Sequence, residues 1–293
     1  MHAAGPGIFQ RTPAQLGEGP CWHARRGTVW WIDILGRKLF ESDAAGGPVR
    51  TLELLQMPGA IAPASDGRLI AALHHGIFFC DPSKGALTPF AVPPGHDPAV
   101  FRFNDGKVDP QGRFWAGTLA LDSRPKQSKL YRFGGDRGCT VHRTEISISN
   151  GLAWSPDGRT LYYVDSPTRQ VQAFPFDGEH GTLGAPRVAF KLTDGDGWPD
   201  GCCMDADGCL WLGHWGAAKL TRWHPTTGRR LRTVPLPVSN VTSCAFGGAK
   251  LDRLFITTAV DPEAKKPEPE AGFLFCLDPG VTGQPIAEFR LPA

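Results

Sequence analysis

Four oxygen-bearing side chains stand at nearly one register of this sequence: Asn104, Asn150 and Asp200 precede Gly112, Gly158 and Gly208 by eight residues, and Glu18 precedes Gly27 by nine. Carboxylates and amides are the oxygen ligands that hard divalent cations take, and such ligands must converge from several directions. One isolated Asn-Gly or Asp-Gly is ordinarily a turn former. Recurrence at a shared register favours a site, provided the fold brings the positions together. Glu18, Asn150 and Asp200 are followed directly by Gly19, Gly151 and Gly201, which read as places for sharp backbone turns. Asn104 is followed instead by Asp105 and then Gly106. Arg102 lies two residues before Asn104, on the same face of an extended strand, so a ligand role and a substrate-binding role are both open for Asn104.

The element that must position these residues is a repeat. A glycine or aspartate, one further residue and a short apolar run recur six times: GTVWWID at 27, GRLIAAL at 67, GRFWAGT at 112, GRTLYYVD at 158, GCLWLGH at 208 and DRLFITT at 252. The starts are 40, 45, 46, 50 and 44 residues apart, the period of propeller blades. Turn sequences such as DPQG at 109 and DADG at 205 precede most copies, and a second strand, such as KLFESD at 38 or KLYRF at 129, follows each. The chain therefore reads as all-β: a single domain over residues 1–293, folded as a six-bladed β-propeller of four-stranded antiparallel blades. Equivalent positions of successive blades face a common axis, which is where the four side chains would meet. Residues before Leu16, such as GIFQRT, are expected to close the ring against the C-terminal strand AEFRL.

Composition narrows the function. Apolar residues make up 41%, charged residues 20% and the net charge is +2, without the basic stripe of a nucleic-acid binder. No apolar run is long enough to span a membrane, and the first residues carry neither a secretory nor an organellar signal, so a cytoplasmic location is expected. The eight cysteines read as reduced thiols, and Trp30, Trp31, Trp115 and Trp211, inside the repeated phrase, as blade packing. Trp198 and Trp215 are better placed to form a pocket wall. There is no HExxH, GxSxG or Walker loop, and DGDGWPDG at 194 breaks the EF-hand pattern, leaving Asp194 and Asp196 as loop acids.

The segments LGEGPCWH at 16, FRFNDGKVDPQGRFWAGT at 101, SNGLAWSPDGRTLYYVDS at 149, GWPDGCCMDADGCLWLGHWG at 197 and SNVTSCAFGG at 239 resemble the senescence marker protein 30, gluconolactonase and luciferin-regenerating enzyme family, from about Leu16 onward. The resemblance implies a sugar lactonase that opens a small aldonolactone to the aldonic acid with one divalent metal. It implies Glu18, Asn150 and Asp200 as metal ligands, Asp200 also as general base, and Arg102 and Asn104 as the substrate-binding pair. Asp122, in GTLALDS, stands where some gluconolactonases carry a Glu that binds substrate hydroxyls, one methylene longer in reach. The oxygen-rich ligand set favours calcium and leaves zinc, manganese, magnesium and ferrous iron open. Whether Asp200 or a water activated by the cation is the base stays open, as do two other readings: an esterase or phosphotriesterase on the same scaffold, and a non-enzymatic calcium-binding propeller. The expected partner is a small-molecule sugar lactone, with no nucleic acid or membrane, and the expected state a monomer or small homo-oligomer.

Overall fold

Short Val/Ile/Leu/Trp runs between glycine-containing turns can bury both faces only by stacking sheet on sheet, and the chain does this six times around a ring. The structure, a computed structural model, describes residues 5–264 and 266–291. Six antiparallel sheets have their inner strands at Gly17–His23, Pro58–Pro63, Phe101–Val108, Ser149–Trp154, Trp198–Met204 and Asn240–Gly247. The first five blades then run outward strand by strand in sequence order, and in the sixth the outermost strand comes from the N-terminus. The fourth blade has a divided outer edge, where Thr182–Leu183 and Arg187–Lys191 both pair with Gln170–Asp177. The one helical element among the described residues is a 3-10 turn at Ser166–Thr168.

The repeated phrase is the second strand of every blade, and it is held by the turn before it. Asp109 is fully buried and accepts from the Gln111 and Arg113 N–H groups, the Arg113 guanidinium and Trp115 Nε1. Asp205 repeats this two blades later, accepting from the Cys209 N–H, Trp211 Nε1 and Arg222 Nε. The aspartate thus fixes the turn and satisfies the indole N–H of the tryptophan that enters the core, a donor whose burial without a partner would oppose folding. Trp30, Trp31, Trp115 and Trp211 are all buried between blades.

Closure differs in one respect from the expectation. The N-terminal strand Gly7–Gln10 does complete the last blade, but it pairs with Leu274–Leu277, not with the AEFRL segment. Phe9 packs edge-on against Phe255 at 5.0 Å there. AEFRL instead crosses the end of the channel opposite the inner-strand starts. The Phe289 N–H donates to Pro63 O and its carbonyl accepts from Ser65, while its buried ring lies against Phe79 and Phe90. Its apolar residue finds a better pocket beneath the second blade than the last blade's edge would give. At the seam itself, Thr242 Oγ1 donates to Gly17 O at 2.6 Å, joining the sixth inner strand to the first.

Asp194 and Asp196 both lie in the loop before Trp198–Met204, as expected, but Asp196 is not solvated there. It is buried and bridges Lys219 Nζ at 2.7 Å and Arg230 Nη2 at 2.6 Å. Burial opposes its ionisation, but Lys219, Thr193 and Arg230 outweigh that and hold its carboxyl well below the usual range. Asp194 is exposed and pairs with Arg169. All eight cysteines are free thiols. Among the described residues, no helix is long and apolar enough to cross a membrane.

Candidate metal and substrate site

Every inner strand loses register with its neighbour near its start. The breaks fall between Glu18 and Cys21, Pro58 and Ala60, Phe103 and Gly106, Asn150 and Leu152, Pro199 and Cys202, and Val241 and Ser243. Such bulges bend a strand and re-aim the side chain at the break. Glu18, Asn104, Asn150 and Asp200 all sit at these breaks, and each is at most 8% exposed. The glycines beside them serve two purposes. Gly19 has φ +51°, the left-handed conformation a bulge can demand, whereas a Cβ on Gly151 would stand 2.7 Å from Asp200 O and 2.9 Å from Cys202 Sγ. Gly151 is therefore required by the close approach of the fourth and fifth blades, not by a turn.

Glu18, Asn150 and Asp200 come from the first, fourth and fifth blades and face one another. Burial raises the Glu18 carboxyl well above its ordinary range, and the charges of Asp200 and Asp105 raise it further, against the Gly19 N–H and Arg102. Asp200 is raised in the same way by burial and Asp105, with the Asn150 amide, the Gly201 N–H and Arg102 opposing. Gly19 N donates to Glu18 Oε2 at 2.9 Å. Asn150 Nδ2 donates to Ser166 Oγ at 3.0 Å, while Asn150 Oδ1 is buried with no hydrogen-bond partner among the described residues.

A buried orphan oxygen beside two mutually repelling carboxylates is an arrangement that a divalent cation would relieve. The donor set, all oxygen with one neutral member, fits calcium, magnesium or manganese most directly. Among the described residues, no three His, Cys, Asp or Glu side chains gather as a metal-binding group, so the amide is needed to complete a protein ligand triad.

Arg102 and Asn104 form a joined pair: Arg102 Nη1 donates to Asn104 Oδ1 at 2.8 Å and to Phe103 O at 3.0 Å, and Asn104 Nδ2 donates to Ser149 O at 2.8 Å. Burial lowers the Arg102 pKa to about 10, with Glu18 and Asp200 opposing, so the guanidinium remains charged at neutral pH. Asp122 stands apart from this group. Its side chain is 54% exposed and paired with Arg124 at 2.6 Å.

Three residues of the site escape the sequence reading. Asp105, buried beside Asn104, accepts from the Gly106 N–H, and its carboxyl is raised by burial against the pull of Lys107. Its signal is present in the sequence, since the third repeat places an acid where the repeats of Glu18, Asn150 and Asp200 have glycine. Lys107 Nζ donates to Cys202 O at 2.6 Å, and Ser166 Oγ donates to Pro199 O at 2.7 Å. Neither carries a spacing signal, because their partners lie on other blades. Below Asp105 and Lys107 the channel widens into a cavity of about 620 Å³, closed at the far end by the segment from Gln284 to Glu288.

Fold and site together define a class: a six-bladed propeller with two carboxylates and an amide oxygen facing its axis beside an arginine–asparagine pair. Residues 16–260 match the family described as the SMP-30/Gluconolactonase/LRE-like region, and the chain belongs to that family. Regucalcin of Danio rerio is 36% identical over 277 residues, covering 92% of this chain and 93% of its own. YvrE of Bacillus subtilis (strain 168), whose name assigns it provisionally as a sugar lactone lactonase, is 33% identical over 279 residues, with 94% and 95% covered. The crystal structure of a calcium-binding protein, regucalcin, from Agrobacterium tumefaciens superposes with a TM-score of 0.91 at 32% identity, covering 99% of this chain and 98% of that one.

Proposed function

We propose that this protein hydrolyses an aldonolactone to the aldonic acid with one divalent cation held by Glu18, Asn150 and Asp200. The observation that carries this reading is the buried Asn150 Oδ1, without a hydrogen-bond partner among the described residues, in a site where burial and mutual repulsion oppose the negative charge of Glu18 and Asp200. When bound, such a cation would polarise the lactone carbonyl and stabilise the negative charge that develops on it.

The remaining work falls to side chains of this chain. Arg102 keeps a charged, planar fork in place by committing Nη1 to Asn104 and the backbone, which leaves its other donors for ring or hydroxyl oxygens of the substrate. Asn104 is oriented by the same bond and by Ser149 O. This pair would hold a polyhydroxylated ring in one pose, the kind of positioning that lowers the entropy barrier. Asp200 is the candidate base for the proton of the attacking water, and Asp105, by raising its proton affinity, would make it a stronger acceptor. Asp122 would meet substrate hydroxyls only by releasing Arg124.

Calcium is the favoured cation, in keeping with the description of the Agrobacterium relative as calcium-binding. The free thiols fit a reducing cytoplasm. The test is acid release from glucono-, galactono-, xylono- and arabinonolactone, with an aryl phosphotriester in parallel and calcium, manganese, magnesium, zinc or ferrous iron added after chelation. Turnover of a lactone but not the phosphotriester is expected. Absence of lactone turnover with every cation would overturn the proposal.

A further inference from the structure

Ser166 lies in the 3-10 turn that follows the second strand of the fourth blade, and its side chain is buried. Its hydroxyl is placed between two residues of the axial site. It donates to the carbonyl oxygen of Pro199, the residue before Asp200, at 2.7 Å, and it lies 3.0 Å from the Asn150 amide. A carbonyl can only accept, so the single hydroxyl proton of Ser166 is committed to Pro199. Toward Asn150 the hydroxyl can then only accept. Asn150 must present its NH2 to Ser166, and Oδ1 must face the opposite way, where it has no partner among the described residues. The amide's orientation is thereby fixed by hydrogen-bond direction alone, whichever way its nitrogen and oxygen are assigned.

We infer that Ser166 is the positioning residue of the axial site: it sets which atom of Asn150 faces the cation and ties that choice to the strand segment carrying Asp200. The inference rests on the axial-cation reading proposed above. An aspartate in place of Asn150 has no proton to give Ser166 in its ionised form, so Ser166 must abandon Pro199 to donate to it, or two acceptors are left in contact. The asparagine at this position is thereby explained as the ligand type compatible with the Ser166–Pro199 bond, although an aspartate would bring more charge to a cation.

The experiment is calorimetric titration of the chelated full-length protein with calcium and with manganese, alongside thermal unfolding in chelator. The variants are Ser166→Ala, Ser166→Thr, Asn150→Asp and the Ser166→Ala/Asn150→Asp double. Ser166→Ala is expected to weaken cation affinity about 10- to 100-fold, the usual effect of losing a residue that orients a ligand. Ser166→Thr, which keeps the hydroxyl, should recover most of it. The double variant should bind more tightly than the sum of the single effects predicts, because removing the serine removes its conflict with the introduced carboxylate. A merely structural serine would lower the unfolding temperature in chelator and leave cation affinity unchanged. If Ser166→Ala does not fold, Ser166→Cys, with a weaker donor, should show an intermediate loss of affinity. Wild-type affinity in Ser166→Ala or Ser166→Cys, with Asp200→Asn impaired, overturns the inference alone. If the wild-type protein binds neither cation, the axial reading falls and this inference falls with it.

Discussion

Lys107 Nζ, on the inner strand of the third blade, donates to the carbonyl oxygen of Cys202 on the inner strand of the fifth at 2.6 Å, so one side chain spans the channel past the fourth blade. It also places a cation beside Asp105, where burial would otherwise favour the neutral acid. Lys107→Met should remove the bond to Cys202 O and leave Asp105 without its neighbour, at a cost of about 3 kcal/mol. Urea unfolding of the chelated protein checks this; an unchanged midpoint and slope would mean the strut contributes nothing.

The segment from Gln284 to Glu288 and the Phe289 ring close the far end of the channel, and Phe289 is fully buried against Phe79 and Phe90. Phe289→Ala should destabilise by about 3–5 kcal/mol, as for other fully buried aromatics. A loss under about 0.5 kcal/mol in equilibrium unfolding, far below that range, would show that the segment is not docked in solution.

His214 is buried in the fifth blade, with Nδ1 against Asp196 O and Nε2 against Thr221 Oγ1. Burial pushes its pKa down to about 4, with the Asp196 carbonyl opposing, so the fold holds it neutral while the unfolded chain binds a proton near pH 6.5. Stability from this group is intact above about pH 6.5 and is lost as pH falls toward about 4. The stability advantage of wild type over His214→Asn should therefore shrink between about pH 7 and about pH 4.5. An advantage that stays constant or grows across that range contradicts the neutral assignment.

Among the described residues, Arg102 makes its two intramolecular bonds through Nη1. Arg102→Lys keeps the charge but not the planar fork, so kcat/KM on the preferred lactone should fall about 10- to 100-fold while cation affinity stays within about threefold of wild type. Equal loss of cation affinity would mean that Arg102 supports the cation site, not the substrate, because a guanidinium has no lone pair to give a metal.

Much of this arrangement is legible in the chain because propellers repeat. The phrase beginning at Gly27 and Gly112 marks the second strand of its blade, and counting back from it reaches the inner strand near the bulge where Glu18 or Asn104 turns inward. Asp105 is legible in principle, as an acid in a place where Glu18, Asn150 and Asp200 are each followed by glycine. Lys107 and Ser166 are not, since each acts on a backbone carbonyl contributed by a different blade, and such a partner leaves no trace in residue type or spacing. The role of Gly151 is hidden for the same reason: its constraint is the approach of Asp200 O across a blade boundary. AEFRL has strand-like alternation, yet Phe289 is drawn to the Phe79 and Phe90 cluster, a preference set by tertiary packing.

In the proposed function, Glu18, Asn150 and Asp200 hold a cation on which lactone hydrolysis depends. The most direct measurement is metal content and lactonase rate, side by side, for wild type and Asp200→Asn after chelation and after restoring the cation. Asp200→Asn keeps the shape and one carbonyl oxygen but loses the carboxylate's basicity, so its occupancy should fall less than its activity. The predicted result is a wild type that loses turnover with its metal and regains it on restoration, beside a variant that binds some metal and stays nearly inactive. Equal lactone hydrolysis by both proteins with no metal bound would contradict the account.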